Sequence, residues 1–238
     1  MRFVKLDATR STNDFLKELS AAEPLENFTV VSAESQTQGK GQMGAVWTSE
    51  AGKNLTMSVL AKDVVADIQS VFLLNAAVAT AVVDVLKRHA IPQLQIKWPN
   101  DIMAGNKKVG GILIENSFKS DGSVSSVVGL GLNVNQTNFN GLPQASSLSL
   151  ATGRMFDRDE LLVQIAEAVK ENAGQLEPAW ERYSSLLFRK GVPTAFQLPN
   201  GERFMGIIAD VTLEGKLQVQ LEDGSLVVFG IKEIQMLY

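Results

Sequence analysis

The sequence contains no cysteine, so disulfides and thiolate-held zinc are excluded. His89 is the only histidine, which excludes a histidine-built metal site and leaves Mg2+ on carboxylates as the open metal chemistry. Positive charge is not in excess either. Lys and Arg number 22 against 26 Asp and Glu, a net charge of −4. With no Lys/Arg-rich arm or patch, the chain is not expected to coat nucleic acid. Nothing after Met1 reads as a signal-peptide core. The longest apolar run, 71–86, is interrupted by Asn75, Thr80 and Asp84, and is too short to span a bilayer. Repeats and low-complexity segments are lacking too. The expectation is a cytoplasmic protein with no membrane partner.

What is present suits a globular chain: 45% hydrophobic and 20% charged residues over 238 positions, enough for one sizeable domain and a small appendage. Capping residues at 11–14 predict a helix over 11–19. A dense Ala/Val/Leu pattern predicts a helix over 70–89, ending before Pro92. Further helices are expected over 158–173, capped by Asp157, and over 178–188. Strands are expected at 28–32, 54–60, 94–97, 109–115 and 124–132. A polar, glycine-rich loop spans 36–47. Beyond about 190 only short strands and turn dipeptides remain, among them Asn200-Gly201, Glu214-Gly215 and Asp223-Gly224. That spacing predicts a small β-barrel of about five strands. The expected division is 1–189 and 190–238.

Two stretches carry chemistry. Gly39-Lys40-Gly41-Gln42-Met43-Gly44 matches G-x-G-x-x-G. No apolar helix follows, which disfavours a dinucleotide fold. No kinase signature follows either. Glycines let backbone N–H groups approach an anion, and Lys40 adds charge, so the loop reads as an anion lid; the plain alternative is a mobile surface loop. In the second stretch, Lys97-Trp98-Pro99-Asn100-Asp101 leads through a turn at 104–106 to Lys108-Val109-Gly110-Gly111. The cations suit phosphate oxygens, and Asn100 and Asp101 suit Mg2+ or a nucleophile. The alternative is a charged hairpin tip. Gly110-Gly111 and Gly129-x-Gly131 suggest a floor for a flat ligand, or else tight strand packing. Trp47 reads as a stacking platform for a base or as core. His89 reads as a helix-end residue.

Together these residues resemble the biotin protein ligases, from about Ser11 to Tyr238. The resemblance rests on Lys97-Trp98-Pro99-Asn100-Asp101 with Lys108-x-Gly110-Gly111-Ile112-Leu113-x-Glu115, on Ser11-Thr12-Asn13, on Gln36 before the glycine loop, and on Gly129-x-Gly131-x-Asn133. It implies an α/β (α+β) fold with a class II synthetase-like mixed sheet, followed by an SH3-like barrel. It implies activation of biotin by ATP to biotinyl-5′-AMP, with pyrophosphate released, and transfer of biotin to a lysine of a biotin carboxyl carrier domain. Biotin would be bound by Ser11, Thr12, Asn13, Gln36, Gly39, Lys40, Gly41, Gln42, Lys108, Gly111, Gly129 and Leu132. ATP would be bound by Trp47, Lys97, Asn100, Asp101 and Asn133. Lys108, Asp101, Lys97 and Lys40 would be catalytic. Mg2+ would arrive on the ATP phosphates, with Asp101 as its protein contact.

Two departures stand out. The family's loop often reads G-R-G-R-x-G-R, whereas Lys40, Gln42 and Ala45 stand here. Backbone N–H groups would then hold the intermediate more than charge would, with Lys53 as a compensating cation. The chain also begins about ten residues before Ser11, so no DNA-binding helix-turn-helix is expected. Either a monomer or a homodimer is compatible with the sequence. Two rivals remain: a lipoate- or octanoate-protein ligase, disfavoured by the lack of an R-R-x-x-G-G-G stretch, and a non-catalytic biotin-binding module.

Overall fold

Alternation of side chains along the strands sorts this protein into layers. The computed structural model describes residues 1–67, 70–118 and 122–238. Its elements in chain order begin with β1 (Phe3–Thr9), α1 (Thr12–Ala22), β2 (Val30–Gln36), β3 (Leu55–Lys62) and α2 (Val71–Arg88). There follow β4 (Leu94–Lys97), β5 (Asp101–Ala104), β6 (Lys107–Phe118), β7 (Val124–Leu132), α3 (Leu148–Thr152), α4 (Arg158–Asn172) and α5 (Leu176–Ser185). The last strands are β8 (Pro193–Gln197), β9 (Arg203–Val211), β10 (Leu217–Leu221), β11 (Leu226–Phe229) and β12 (Gln235–Leu237).

Seven strands form one mixed sheet in the order β1-β2-β3-β7-β6-β5-β4. Among the described residues only β1 and β2 pair in parallel within this sheet, with α1 as the crossover between them. Neighbouring residues then face opposite sides. Val30, Val59 and Val128 pack with α2 and α4, whereas Val31, Leu60 and Val127 pack with Leu16 of α1. Of these two layers, the one built on α2 holds most of the core. Helix α2 is buried at most of its 18 positions, which its apolar sequence requires. Each fully buried Val, Leu or Ile contributes about 1.5–3 kcal/mol.

The local signals behave as their chemistry dictates. Ser11 caps α1 by accepting from the Asp14 backbone N–H, and Asp157 caps α4 by accepting from Asp159 and Glu160. Two elements escaped the sequence reading. Strand β1 lies at the sheet edge with most residues only half-buried or exposed, so it has little hydrophobic signature. Helix α3 has five residues, too few for a helical period to show.

The five C-terminal strands form an antiparallel sheet, ordered β11-β10-β9-β8-β12. This meets the expectation of about five short strands, and among the described residues β11 and β12 stand at the sheet's edges. Gly201, Gly215 and Gly224 sit in its turns at φ of 89°, 84° and 84°, where a side chain would be strained. Phe196, Ile208 and Val219 from this sheet, with Ile234 just before β12, join the core of the first, so one hydrophobic interior is shared. No helix among the described residues is long and apolar enough to cross a membrane.

Candidate active site

Strand register assembles the site row by row. Lys97 lies opposite Asp101, Asp101 opposite Gly111, Gly111 opposite Gly131, and Gly131 opposite Thr56. The adjoining row runs Leu113, Gly129, Ser58 and Val31. Cross-strand partners point to the same face, and Val31 packs with α1. Both rows therefore lie on the α1 side of the sheet.

Lys108 should not be on that face. It is an odd number of residues from Gly111 and would point into the α2 core in a regular strand. A bulge prevents this: Ile102 pairs with Gly110 but Met103 pairs with Lys108, leaving Val109 as the extra residue. Val109 turns into the core, fully buried, and Lys108 turns to the site. Its Nζ lies 2.6 Å from Asp101 Oδ1, while Lys97 Nζ lies 3.7 Å from Asp101 Oδ2. One carboxylate thus holds two ammonium groups, a net positive cluster. The preceding turn is fixed from several directions. The Pro99 carbonyl accepts from Asn75 of α2 at 2.8 Å and from the Tyr183 hydroxyl of α5 at 2.9 Å. The Asn100 amide donates to the Ile112 carbonyl. Burial, then the Asp101 charge, pushes the Tyr183 hydroxyl well above its usual pKa, so it stays a neutral donor.

At the other end the groups on α1, β2 and β3 that face the cavity are neutral. The Gln36 side-chain carbonyl accepts from the Thr12 backbone N–H at 2.8 Å and from the Thr12 hydroxyl at 3.1 Å. The Ser58 hydroxyl lies 2.8 Å from Thr12 Oγ1 and 2.6 Å from Asn13 Oδ1. Asn13 in turn donates to Glu115 at 2.7 Å, and Glu115 also pairs with Lys17. Ser11, Thr12 and Asn13 are all buried. A buried network of this kind is rigid, because an unmade bond there costs about 1–3 kcal/mol.

Glycine at two floor positions is a steric requirement. A Cβ on Gly129 would lie 2.5 Å from Asn13 Oδ1, and one on Gly131 would lie 2.4 Å from the Trp47 indole. The glycines therefore admit Asn13 and Trp47 to the sheet surface. The Trp47 indole nitrogen is buried with no hydrogen-bond partner, a donor left available beside the cavity.

Two cavities meet here. The first, about 250 Å³, is lined by Ser11, Thr12, Asn13, Gln36, Lys40, Gly41, Gln42, Trp47, Asn100, Asp101, Lys108, Gly111 and Gly129. The second, about 380 Å³, shares Trp47 and Lys108 and adds Asn133, Phe139, Leu142 and Tyr238. Most of the residues proposed from sequence are thus brought together. Four are placed differently. Leu132 faces the α2 core and is fully buried, because its parity is opposite to that of Gly131. Gly39 underlies the loop, where a Cβ would strike the Trp47 carbonyl at 2.3 Å. Lys97 stands behind Asp101 rather than on the first cavity's wall. Asn133 lies in the second cavity and uses its amide to hold the Ser146 carbonyl at 2.9 Å.

Lys40 lines the first cavity, yet its Nζ is 2.6 Å from Asp14 Oδ2 on α1. The hydrogen bond it donates to Asp14 raises its pKa. Lys53 is exposed and lines neither cavity. Sequence reasoning missed Ser58, Asp14 and Tyr238. Ser58 had a signal, a hydroxyl alternating with apolar residues on β3. The other two had none, since their partners are distant in sequence.

The sequence profile of the biotin/lipoate A/B protein ligase family matches residues 6–134. The Bacillus spizizenii bifunctional ligase/repressor BirA is 31% identical over 231 residues, which is 92% of this chain and 69% of that protein. The Mycobacterium tuberculosis biotin–[acetyl-CoA-carboxylase] ligase is 30% identical over 230 residues, covering 92% of this chain and 84% of that one. In fold, the chain is similar to the Aquifex aeolicus biotin protein ligase solved with biotin and ATP. The TM-score is 0.80 at 23% identity, over 99% of this chain and 98% of that one.

Proposed function

This chain belongs to the biotin/lipoate A/B protein ligase family, and we propose that it activates biotin with ATP and transfers it to a lysine of a carrier protein. The observation that carries this reading is the polarity of one cavity. Neutral hydrogen-bonding groups line one end and a bulge-aimed lysine stands at the other.

Biotin suits that polarity. Its uncharged ureido ring needs donors and acceptors without charge, which Ser11, Thr12 and Gln36 supply, with Asn13 and Ser58 holding them in place. Its carboxylate needs a cation, which Lys108 supplies. Trp47, Asn133 and the second cavity would take the adenine end of ATP, with the phosphates between the cavities near Lys108 and Lys97. In the first step a biotin carboxylate oxygen bonds to the α-phosphorus and the bond to pyrophosphate breaks. Negative charge grows on the phosphoryl oxygens, and Lys108 is already fixed where it grows. In the second step the carrier amine bonds to the acyl carbon, AMP leaves with the bonding pair, and the amine loses a proton. Asp101 is the carboxylate at hand to orient that amine or take the proton.

The donor set also bears on Mg2+. Among the described residues no three His, Cys, Asp or Glu side chains come together to hold a metal ion. Mg2+ would arrive on the nucleotide's phosphates and neutralise charge there, with Asp101, the carboxylate between Lys97 and Lys108, as its protein contact.

The glycine loop closes the first cavity. Gly41 donates to the Ala45 carbonyl at 2.7 Å and Trp47 donates to the Gly39 carbonyl at 2.9 Å, so the loop is braced on itself. Lys40, bonded to Asp14, serves here as an anchor to α1 more than as a grip on the adenylate. Mass spectrometry of a biotin carrier domain incubated with this protein, biotin and Mg-ATP tests the reading. A mass increase of one biotinyl group is expected; an unmodified carrier, or lipoyl rather than biotinyl addition when both acids are supplied, would overturn it.

A further inference from the structure

The second sheet touches the lysine-bearing strand at two adjacent residues. The Trp98 indole is buried and donates to the Gly215 carbonyl at 2.8 Å. Gly215 lies in the turn between β9 and β10, at φ +84°, and a Cβ there would lie 2.3 Å from the Phe72 ring. This turn therefore docks tightly on α2 and on Trp98. The neighbouring residue, Lys97, has its Nζ 5.1 Å from the centre of the Tyr238 ring. Tyr238 is itself held in place. Its ring meets Phe188 edge-on at 5.2 Å, and its carbonyl accepts from the Gln144 amide at 3.1 Å. The ring also walls the second cavity, together with Trp47, Lys108 and Asn133.

Lys97 needs such help. Its carboxylate partner is Asp101, whose Oδ2 lies 3.7 Å away, and Lys108 holds the other oxygen of that carboxylate at 2.6 Å. A long, flexible ammonium with one shared partner is poorly aimed. An aromatic face restricts it without neutralising it, because the ring quadrupole attracts the cation and leaves its charge intact for an anion.

We propose that Tyr238 is a positioning residue for ATP, supplied by the second sheet, whose ring holds the Lys97 ammonium at the phosphate end of the site. The inference rests on the reading that the second cavity takes ATP. It assigns the C-terminal sheet a task in nucleotide binding and none in biotin binding.

Titration of ATP and of biotin into wild type, Tyr238→Phe and Tyr238→Leu tests it, with melting temperatures measured alongside. Loss of the ring should weaken ATP binding roughly three- to tenfold, the scale of a partly desolvated cation–π contact. Biotin affinity should not change. Tyr238→Phe keeps the ring and should bind ATP as wild type does, an outcome that a hydroxyl-based role would not give. Should Tyr238→Leu bind ATP as tightly as wild type, or Tyr238→Phe fall with it, the inference is overturned. A wild-type protein that does not bind ATP would sink the ATP reading itself and the inference with it. One that binds ATP but fails to biotinylate a carrier would sink only the choice of acid.

Discussion

The two ends of the first cavity differ in how they are held. The Ser11–Thr12–Gln36 end presents neutral groups, with Ser11 and Thr12 buried and Thr12 bonded to both Gln36 and Ser58. The Lys97–Asp101–Lys108 end is charged, half-buried and incompletely neutralised, with two cations on one carboxylate. A braced network of neutral groups offers fixed donors and acceptors and does not change its charge during reaction. An unsaturated ionic cluster has charge to spare for a group that becomes more negative. The contrast separates recognition from chemistry within one pocket.

That separation can be broken most sharply at the charged end. Lys108→Ala should cost adenylate formation roughly 2–4 kcal/mol of transition-state stabilisation. Biotin-dependent pyrophosphate release reads this directly, and an unchanged rate would remove Lys108 from the mechanism. Next comes the floor. In Gly131→Ala the new methyl meets the Trp47 indole, and overpacking of this kind costs about 1–3 kcal/mol. The variant should bind biotinyl-AMP more weakly by calorimetry, and wild-type binding would show that the indole is free to move away. At the neutral end, Thr12→Val removes the hydroxyl shared by Gln36 and Ser58. It should weaken biotin by about 1–3 kcal/mol, the cost of leaving buried partners unpaired. Adenylate formation at saturating biotin should survive.

The smallest effects belong to the loop. Asp14→Asn breaks an exposed pair with Lys40, and such pairs contribute about 0–1 kcal/mol. Release of biotinyl-AMP should quicken by no more than a few-fold, with the rate of its formation intact. Gln42→Arg should slow release by returning a cation to the loop. Equal off-rates in both variants would show that backbone bonds alone retain the intermediate.

Much of this arrangement was legible before the fold was known. Ser11 and Asp157 announced helix starts because capping is local chemistry. The pairing of Lys97, Asp101 and Lys108 followed from a short hairpin, in which residues close in sequence must meet. What was hidden depends on register and on distance. Lys108 reaches the site only because Val109 is bulged, and a bulge depends on the partner strand. Leu132 was assigned to biotin from the Gly129–Asn133 stretch, yet its parity sends it to the core. The bond from Lys40 to Asp14 joins loop to helix, and Tyr238 meets Lys97 from the far end of the chain; neither leaves a trace in spacing.

The most direct test compares the affinity of biotin with that of its methyl ester, which keeps the ring and lacks the negative charge. Thr12→Val should weaken both ligands alike, whereas Lys108→Ala should weaken biotin and leave the ester untouched. If Lys108→Ala weakens the ester as much as the acid, or Thr12→Val affects neither, the two ends of the cavity do not divide the work as described.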